Sequence, residues 1–210
     1  MIEINKLSEV TEHLSGIQAV IFDLDDTLYN EKAYVRSGYH AVAECLPEVK
    51  GAEEKLWHFF EEGKSAIDEL LKAEGLFTEK RKRTCLQEYR EHIPTIFLDA
   101  DVRELLLRLR SEGRFLGIIT DGRPEGQRAK IKALGLEALV DAIIVTDELG
   151  GVECRKPSPL AFEKMQEIAD VPYDRMCYIG DNTKKDFIAP DKLGMRSIWY
   201  CNAEGLYSGR

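Results

Sequence analysis

The stretch Ala19-Val20-Ile21-Phe22-Asp23-Leu24-Asp25-Asp26-Thr27 joins an apolar run directly to a group of carboxylates. A short, continuous apolar run of this kind is typical of a strand that is buried on both faces of a parallel sheet. Asp23 and Asp25 therefore follow the carboxyl end of a strand, at the edge where open α/β sheets bind ligands. Two carboxylates so close repel one another unless a cation lies between them, and Mg²⁺ favours such oxygen ligands.

Other apolar runs of strand length follow the first, which we predict to be a strand over 19–23. The further predicted strands are 115–120, 142–146, 176–180 and 197–201. Segments with helical periodicity separate these runs from residue 100 onward, and a short helix is predicted at 6–14. Strands that alternate with helices predict a doubly wound parallel α/β sheet, a Rossmann-like core.

The segment 30–98 interrupts this alternation, because it contains helical patterns but no convincing strand run. The predicted helices are 32–46, 52–62, 64–73 and 79–92. About 69 residues are too many for a plain connection in a compact domain. We therefore predict a core made of 1–29 and 99–210, with an inserted all-helical unit at 30–98.

Three further loops place polar residues at the same edge of the predicted sheet. Thr120 ends a strand and leads into Asp121, where a hydroxyl and backbone N–H groups can face an anion. Lys156 lies just before a predicted helix, and Asp181 and Asp186 follow the strand 176–180. Each residue alone has a plain structural explanation, such as a helix cap or an exposed lysine. Together they supply an anion-binding hydroxyl, a cation and carboxylates for a metal.

These motifs resemble those of the haloacid dehalogenase-like (HAD) hydrolases, in the same order and over about residues 17–200. The matching residues are Asp23-Leu24-Asp25-Asp26-Thr27, then Thr120, then Lys156, then Gly180-Asp181 with Asp186 five positions later. The resemblance implies that the helical insert is a type 1 cap. It also implies covalent phosphoryl transfer through an aspartyl phosphate, with Mg²⁺ as cofactor.

The roles that follow from the resemblance divide into chemistry and binding. Asp23 would be the nucleophile, and Asp25 would protonate the leaving oxygen and later take a proton from water. The residues implied to bind phosphate are Thr120, Asp121 and Lys156. The implied Mg²⁺ ligands are Asp23, the backbone carbonyl of Asp25, and Asp181. The resemblance leaves two roles open for Asp186. It is either a further Mg²⁺ ligand or an acid outside the ligand set, which then forms a hydrogen bond to Lys156 or to a metal-bound water.

Within the family that the chain resembles, the acid at Asp25 favours a phosphatase or a phosphomutase, because the dehalogenase and phosphonatase branches lack an acid at that position. The implied substrate is a small phosphomonoester, either a nucleotide or a sugar phosphate. Residues that follow the first motif are candidates for facing it: Tyr29, Asn30, Tyr34 and Arg36. The alternatives are a phosphomutase of the same fold and, less favoured, a phospho-aspartate signalling module or a binding protein without catalysis. Against the signalling module, Lys156 precedes the second carboxylate pair.

The amino-acid composition limits the classes of molecule that we expect the protein to bind. The 210 residues carry 29 lysines and arginines against 38 acids, a formal charge of −9, which disfavours nucleic acid or an anionic membrane as partner. No apolar run approaches a membrane span, and the first twenty residues do not form a signal peptide. Five cysteines without a Cys-x-x-Cys pair predict reduced thiols in a cytoplasmic protein. We expect a small phosphorylated metabolite as partner, and leave open whether the protein is a monomer or a homodimer.

Overall fold

A six-stranded parallel sheet organises the computed structural model of the protein, which describes residues 1–206. The strands are β1 (Ile2–Ile4), β2 (Ala19–Phe22), β3 (Phe115–Thr120), β4 (Ala142–Val145), β5 (Met176–Gly180) and β6 (Arg196–Tyr200). They pair in the order β1-β6-β5-β2-β3-β4, and every pairing is parallel. The predicted Rossmann-like α/β fold is confirmed. The five predicted strands are present, whereas β1 was not predicted.

Helices connect the strands and form the insert. The insert begins after β2 with α1 (Glu31–Glu44), α2 (Ala52–Glu61), α3 (Ala66–Ala73) and α4 (Glu79–Glu91). The later helices are α5 (Ala100–Ser111), α6 (Pro124–Ala133), α7 (Leu160–Ala169) and α8 (Ile188–Leu193). The helix predicted at 6–14 is a 3₁₀ helix, Leu7–His13. No helix within residues 1–206 is both long enough and apolar enough to cross a membrane.

The chain divides into two compact units. One unit contains Met1–Glu31 and the described chain from Phe97 onward, and the other is Lys32–Ile96. These divisions lie within two residues of the predicted boundaries, and 207–210 of the predicted core lie outside the described residues. That the second unit serves as a cap stays a prediction.

The central position of β2 determines where the functional loops emerge. Phe22 is fully buried and is in register with Ile118 of β3 and Ile179 of β5. The backbone N–H of Asp23 extends the ladder by donating to the Ile179 carbonyl at 2.8 Å. Because the three strands run parallel, the segments that follow Phe22, Thr120 and Gly180 all leave the same edge of the sheet.

The helical unit has an aromatic interior of its own. Tyr34 is 8% exposed and packs against Tyr89 and His92, with ring centroids 6.1 Å and 4.9 Å away. The Arg36 guanidinium stacks over the Trp57 ring at 3.7 Å, a favourable cation–π contact. Tyr34 therefore belongs to the packing of this unit, and Arg36 is held by an aromatic neighbour within it.

Candidate active site

A buried lysine lies at the centre of the carboxyl edge of the sheet. The Lys156 ammonium donates to Asp23 Oδ1 at 2.5 Å and to the Tyr178 hydroxyl at 2.8 Å. It also lies 2.8 Å from Asp186 Oδ1, and its side chain is fully buried. Burial lowers the pKa of Lys156, but the charges of Asp186 and Asp23 outweigh this effect and place it well above its ordinary value. Lys156 is therefore a permanent cation beside Asp23.

Three acids gather around this lysine. Carboxylate oxygens of Asp23, Asp181 and Asp186 lie within 4.8 Å of one another. Burial raises the pKa of Asp23 to about 7, against the opposing charge of Lys156. Burial and the charges of Asp23 and Asp186 raise the pKa of Asp181 to about 8. A divalent cation would relieve both shifts, because it stabilises the ionised forms.

Asp186 completes the acidic trio. Its Oδ2 accepts a hydrogen bond from the Asn182 backbone N–H at 2.9 Å, and the residue is fully buried. Among the described residues no donor meets Oδ1 in hydrogen-bond geometry, although Lys156 lies nearby. Three such carboxylates form a hard oxygen donor set that fits Mg²⁺.

Gly180, at the end of β5, makes room for Asp186. A Cβ atom at this position would lie 2.5 Å from Asp186 Oδ2 and 2.9 Å from its Cγ. Any larger residue would therefore displace the carboxylate. The position requires glycine because of this close approach.

Asp25 has a separate set of partners. Its Oδ1 accepts hydrogen bonds from the Tyr29 hydroxyl at 2.5 Å and from Lys130 Nζ at 2.7 Å. Its Oδ2 accepts from Gln127 Nε2 at 2.8 Å. Burial alone would raise the pKa of Asp25, but the charge of Lys130 and these hydrogen bonds lower it below its ordinary value. Asp23 and Asp25, two residues apart, thus have oppositely shifted pKa values.

Sequence reasoning missed Gln127 and Lys130. They lie three residues apart on α6 and are 4% and 5% exposed, on the same buried face as Ile131 and Leu134. The signal was present in the sequence, because two polar residues occupy core positions of an amphipathic helix. The Tyr29 hydroxyl bonds the Asp25 carboxylate, and the expectation that Tyr29 faces a substrate stays a prediction. The expectation for Asn30 stays a prediction.

Thr120, the last residue of β3, and Asp121, the residue after it, have different surroundings. Thr120 is buried, and its hydroxyl oxygen accepts a hydrogen bond from Gln127 at 2.5 Å. Asp121 Oδ1 accepts from the Lys156 backbone N–H at 3.0 Å and from the Thr146 hydroxyl at 3.1 Å. The Asp121 carboxylate is therefore occupied by hydrogen bonds from neighbouring loops.

The loop that contains Asp23, Asp25 and Asp26, the aspartate loop, also accepts hydrogen bonds from residues near the end of the described chain. Asp26 has a φ of 55° and is 1% exposed. Its Oδ2 accepts from the Leu206 backbone N–H at 2.6 Å, and its carbonyl accepts from Asn202 Nδ2 at 2.8 Å. Its Oδ1 accepts from the Glu31 backbone N–H at 2.9 Å. These hydrogen bonds thus stabilise a left-handed backbone conformation at Asp26, which residues other than glycine adopt only rarely.

The structure therefore sorts the predicted residues into two adjoining groups. Asp23, Lys156, Asp181 and Asp186 form one group around the acidic trio. Asp25 and Thr120 form a second group that shares Gln127 as donor. Asp121 connects to the first group through the Lys156 backbone. The two groups thus place an acidic trio with a buried lysine beside a carboxylate that has hydrogen-bond donors of its own.

Comparison with known proteins finds a matching family model and several related phosphatases. A family model described as haloacid dehalogenase-like hydrolase matches residues 20–200. Glyceraldehyde 3-phosphate phosphatase of Pyrococcus furiosus is 34% identical over 98 residues, which cover 47% of this chain and 40% of that enzyme. N-acylneuraminate-9-phosphatase of Rattus norvegicus is 26% identical over 226 aligned positions, covering 91% of this chain and 85% of that protein.

A solved structure shares the fold. The Bacillus subtilis HAD-hydrolase YfnB, determined with bound magnesium, superposes with a TM-score of 0.63 at 21% identity. The superposition covers 87% of this chain and 86% of that one. At this level of identity the likeness concerns the fold.

Proposed function

Because the chain belongs to the haloacid dehalogenase-like hydrolases, we propose that it is a Mg²⁺-dependent phosphatase that hydrolyses a small phosphomonoester. The observation that carries the proposal is the pair of environments around Asp23 and Asp25. Asp23 lies in the acidic trio against a buried lysine, whereas Asp25 has three hydrogen-bond donors of its own. Without a cation the pKa of Asp23 lies above that of Asp25, which is the reverse of what a nucleophile and a general acid need. A cation held by the trio would lower the pKa of Asp23, and the charge of a bound phosphate would raise that of Asp25.

Asp23 is the proposed nucleophile. Its carboxylate oxygen attacks phosphorus in line, the phosphorus bond to the leaving oxygen breaks, and an aspartyl phosphate forms. The trio of Asp23, Asp181 and Asp186 would hold Mg²⁺, together with the backbone carbonyl of Asp25. When bound, the cation neutralises the phosphoryl charge and keeps Asp23 ionised at neutral pH.

Asp25 is the proposed general acid and base. The donors around it hold it ionised in the free protein, and the charge of an incoming phosphate dianion raises its affinity for a proton. The protonated carboxyl then gives its proton to the leaving oxygen. The resulting carboxylate takes a proton from the water that attacks the aspartyl phosphate, which regenerates Asp23.

The phosphoryl oxygens are proposed to contact Thr120, the backbone at Asp121 and Lys156. Lys156 is well suited to the task because it is buried and charged, and a charge in a dry site acts more strongly than one in water. Phosphoryl transfer depends mainly on positioning and charge neutralisation, which these groups provide.

The proposed substrate class is a small sugar or triose phosphate, with nucleotides as the second choice. The names of the relatives favour phosphorylated carbohydrates, since one is named for glyceraldehyde 3-phosphate and one for a 9-phosphorylated N-acylneuraminate. The proposed role of Lys32–Ile96 is that of a cap which selects among such substrates.

The test is phosphate release from a panel of phosphomonoesters, with and without Mg²⁺. Asp23→Asn should reduce turnover by about 10⁴-fold or more, and Asp25→Asn by about 10²- to 10⁴-fold while Mg²⁺ still binds. Asp101→Asn, an exposed acid on α5, is the matched control and should behave as wild type. Turnover retained in Asp23→Asn would refute the nucleophile. Isomerisation activated by a bisphosphate, with little free phosphate, would favour a phosphomutase instead.

A further inference from the structure

An ion pair between Asp121 and Lys185 joins two loops of the site. Lys185 Nζ lies 2.9 Å from Asp121 Oδ2, and the two side chains are 34% and 9% exposed. The opposite oxygen of Asp121 is bound by the Lys156 N–H and the Thr146 hydroxyl. One carboxylate thus ties together the segments that follow β3, β4 and β5, and the segment that carries Lys156.

The position of the Asp121 carboxylate has an electrostatic disadvantage for anion binding. The backbone next to Asp121 is the part of the loop proposed to hold a phosphoryl group, and a like charge beside a dianion weakens its binding. Asp23, Asp181 and Asp186 already form an acidic cluster at this edge, balanced by Lys156 and by the Mg²⁺ that the trio is proposed to hold. An uncompensated fourth carboxylate would oppose the anion that the site has to bind.

Lys185 provides the compensating charge. It lies in the segment after β5, next to Asp186 in sequence, and its only partly exposed ammonium is directed at Asp121. Its charge also reaches Asp23, because it opposes part of the rise that burial causes in the pKa of that carboxyl. The neighbouring Lys184 is exposed and its side chain has no part in these contacts.

We infer that Lys185 is a positioning residue for phosphate binding, whose ammonium neutralises Asp121 and so allows a carboxylate to brace the loop that holds the phosphoryl group. The inference rests on the proposed function, and it assigns a specific electrostatic task to the pair. Lys185 acts through Asp121 and does not contact the phosphoryl group. Removing both charges should therefore do less harm than removing the lysine alone.

The experiment measures the Kd of inorganic phosphate by calorimetry in the presence of Mg²⁺, for wild type, Lys185→Gln, Asp121→Asn and the double variant. Lys185→Gln should weaken phosphate binding about tenfold, which corresponds to about 1.4 kcal/mol. Asp121→Asn removes the opposing charge, and its amide oxygen can still accept from Lys156 and Thr146, so this variant should bind phosphate more tightly than Lys185→Gln. The double variant should match Asp121→Asn.

Two further variants separate charge from structure. Lys185→Arg keeps the cation and should retain wild-type affinity, and Lys184→Gln removes an exposed neighbouring charge and should change little. If Lys185→Gln does not fold, Lys185→Arg and the double variant still decide the question. A double variant as weak as Lys185→Gln would overturn the inference, as would a Lys185→Gln variant that binds phosphate like wild type. Calorimetry needs no turnover, so absence of phosphatase activity would count against the proposed function alone.

Discussion

Replacing Gly180 with alanine should disable the site while leaving the sheet intact. The added Cβ would lie 2.5 Å from Asp186 Oδ2, and real Cβ contacts below 3.0 Å are essentially absent, so the carboxylate must retreat by at least about 0.5 Å. The retreat would lengthen the bond from the Asn182 N–H, now 2.9 Å, and the contact to Lys156, now 2.8 Å.

A displacement of this size has a predictable cost. A misplacement of about 1 Å in an active site can reduce the rate about 100-fold. We therefore expect Gly180→Ala to lower kcat/KM by about 10- to 100-fold, or about 1.4 to 2.7 kcal/mol of transition-state stabilisation. The Kd for Mg²⁺ should rise about tenfold, because Asp186 belongs to the acidic trio. Steady-state kinetics over a range of Mg²⁺ concentrations and calorimetry of Mg²⁺ binding measure the two effects.

Gly117→Ala is the matched control, since it adds the same methyl group to the neighbouring part of the sheet. Its Cβ would meet Met165 Sδ at 2.7 Å and Ile21 Cδ1 at 2.8 Å, which are core side chains. It should lower stability by about 1 to 3 kcal/mol without changing the affinity for Mg²⁺. The reasoning is refuted if Gly180→Ala binds Mg²⁺ and turns over like wild type, or if both variants lose Mg²⁺ affinity equally.

Three other predictions concern charge and anchoring. Burial raises the pKa of Asp23 to about 7 and that of Asp181 to about 8 in the folded protein, against the ordinary 3.8 of the unfolded chain. The metal-free protein should therefore lose stability as pH rises from about 4 to about 8; thermal melts should show this slope, and added Mg²⁺ should flatten it. Lys130→Met should raise the pKa of Asp25 by about 1 to 3, and the acidic limb of the plot of kcat against pH should therefore move to higher pH. An unmoved limb would contradict the inference that Lys130 lowers the pKa of Asp25. Asn202→Ala should cost about 1 kcal/mol of stability and lower kcat several-fold with KM little changed, since it frees the Asp26 carbonyl; an unaltered kcat would mean that this anchor does not position the loop.

The strand ends were predictable because buried strands leave a strong local pattern. The apolar run before Asp23 needs no tertiary information, and the parallel sheet then places Thr120 and Asp181 at the same edge. β1 was missed because it has three residues, with Glu3 between two isoleucines. So short a segment acquires its identity from pairing with β6.

The partners of Asp25 depended on contacts that are distant in sequence. Gln127 and Lys130 are 102 and 105 residues away from Asp25, and no local rule links a loop to a helix face at that separation. Their location at buried positions of α6 was visible in the helical period. The specific acceptor they serve emerges only when α6 packs beside the loop.

The anchoring of the aspartate loop also bears on when the site can form during synthesis. The loop around Asp26 is made early, yet the Leu206 N–H that binds its carboxylate is 180 residues later in the chain. At a ribosomal rate of about 5 to 20 residues per second, this partner follows roughly 9 to 36 seconds after the loop. A nascent chain that stops before Asn202 therefore carries every proposed catalytic side chain but lacks the hydrogen bonds that Asn202 and Leu206 give to Asp26, so the site should reach its full rate only after Leu206 has been made.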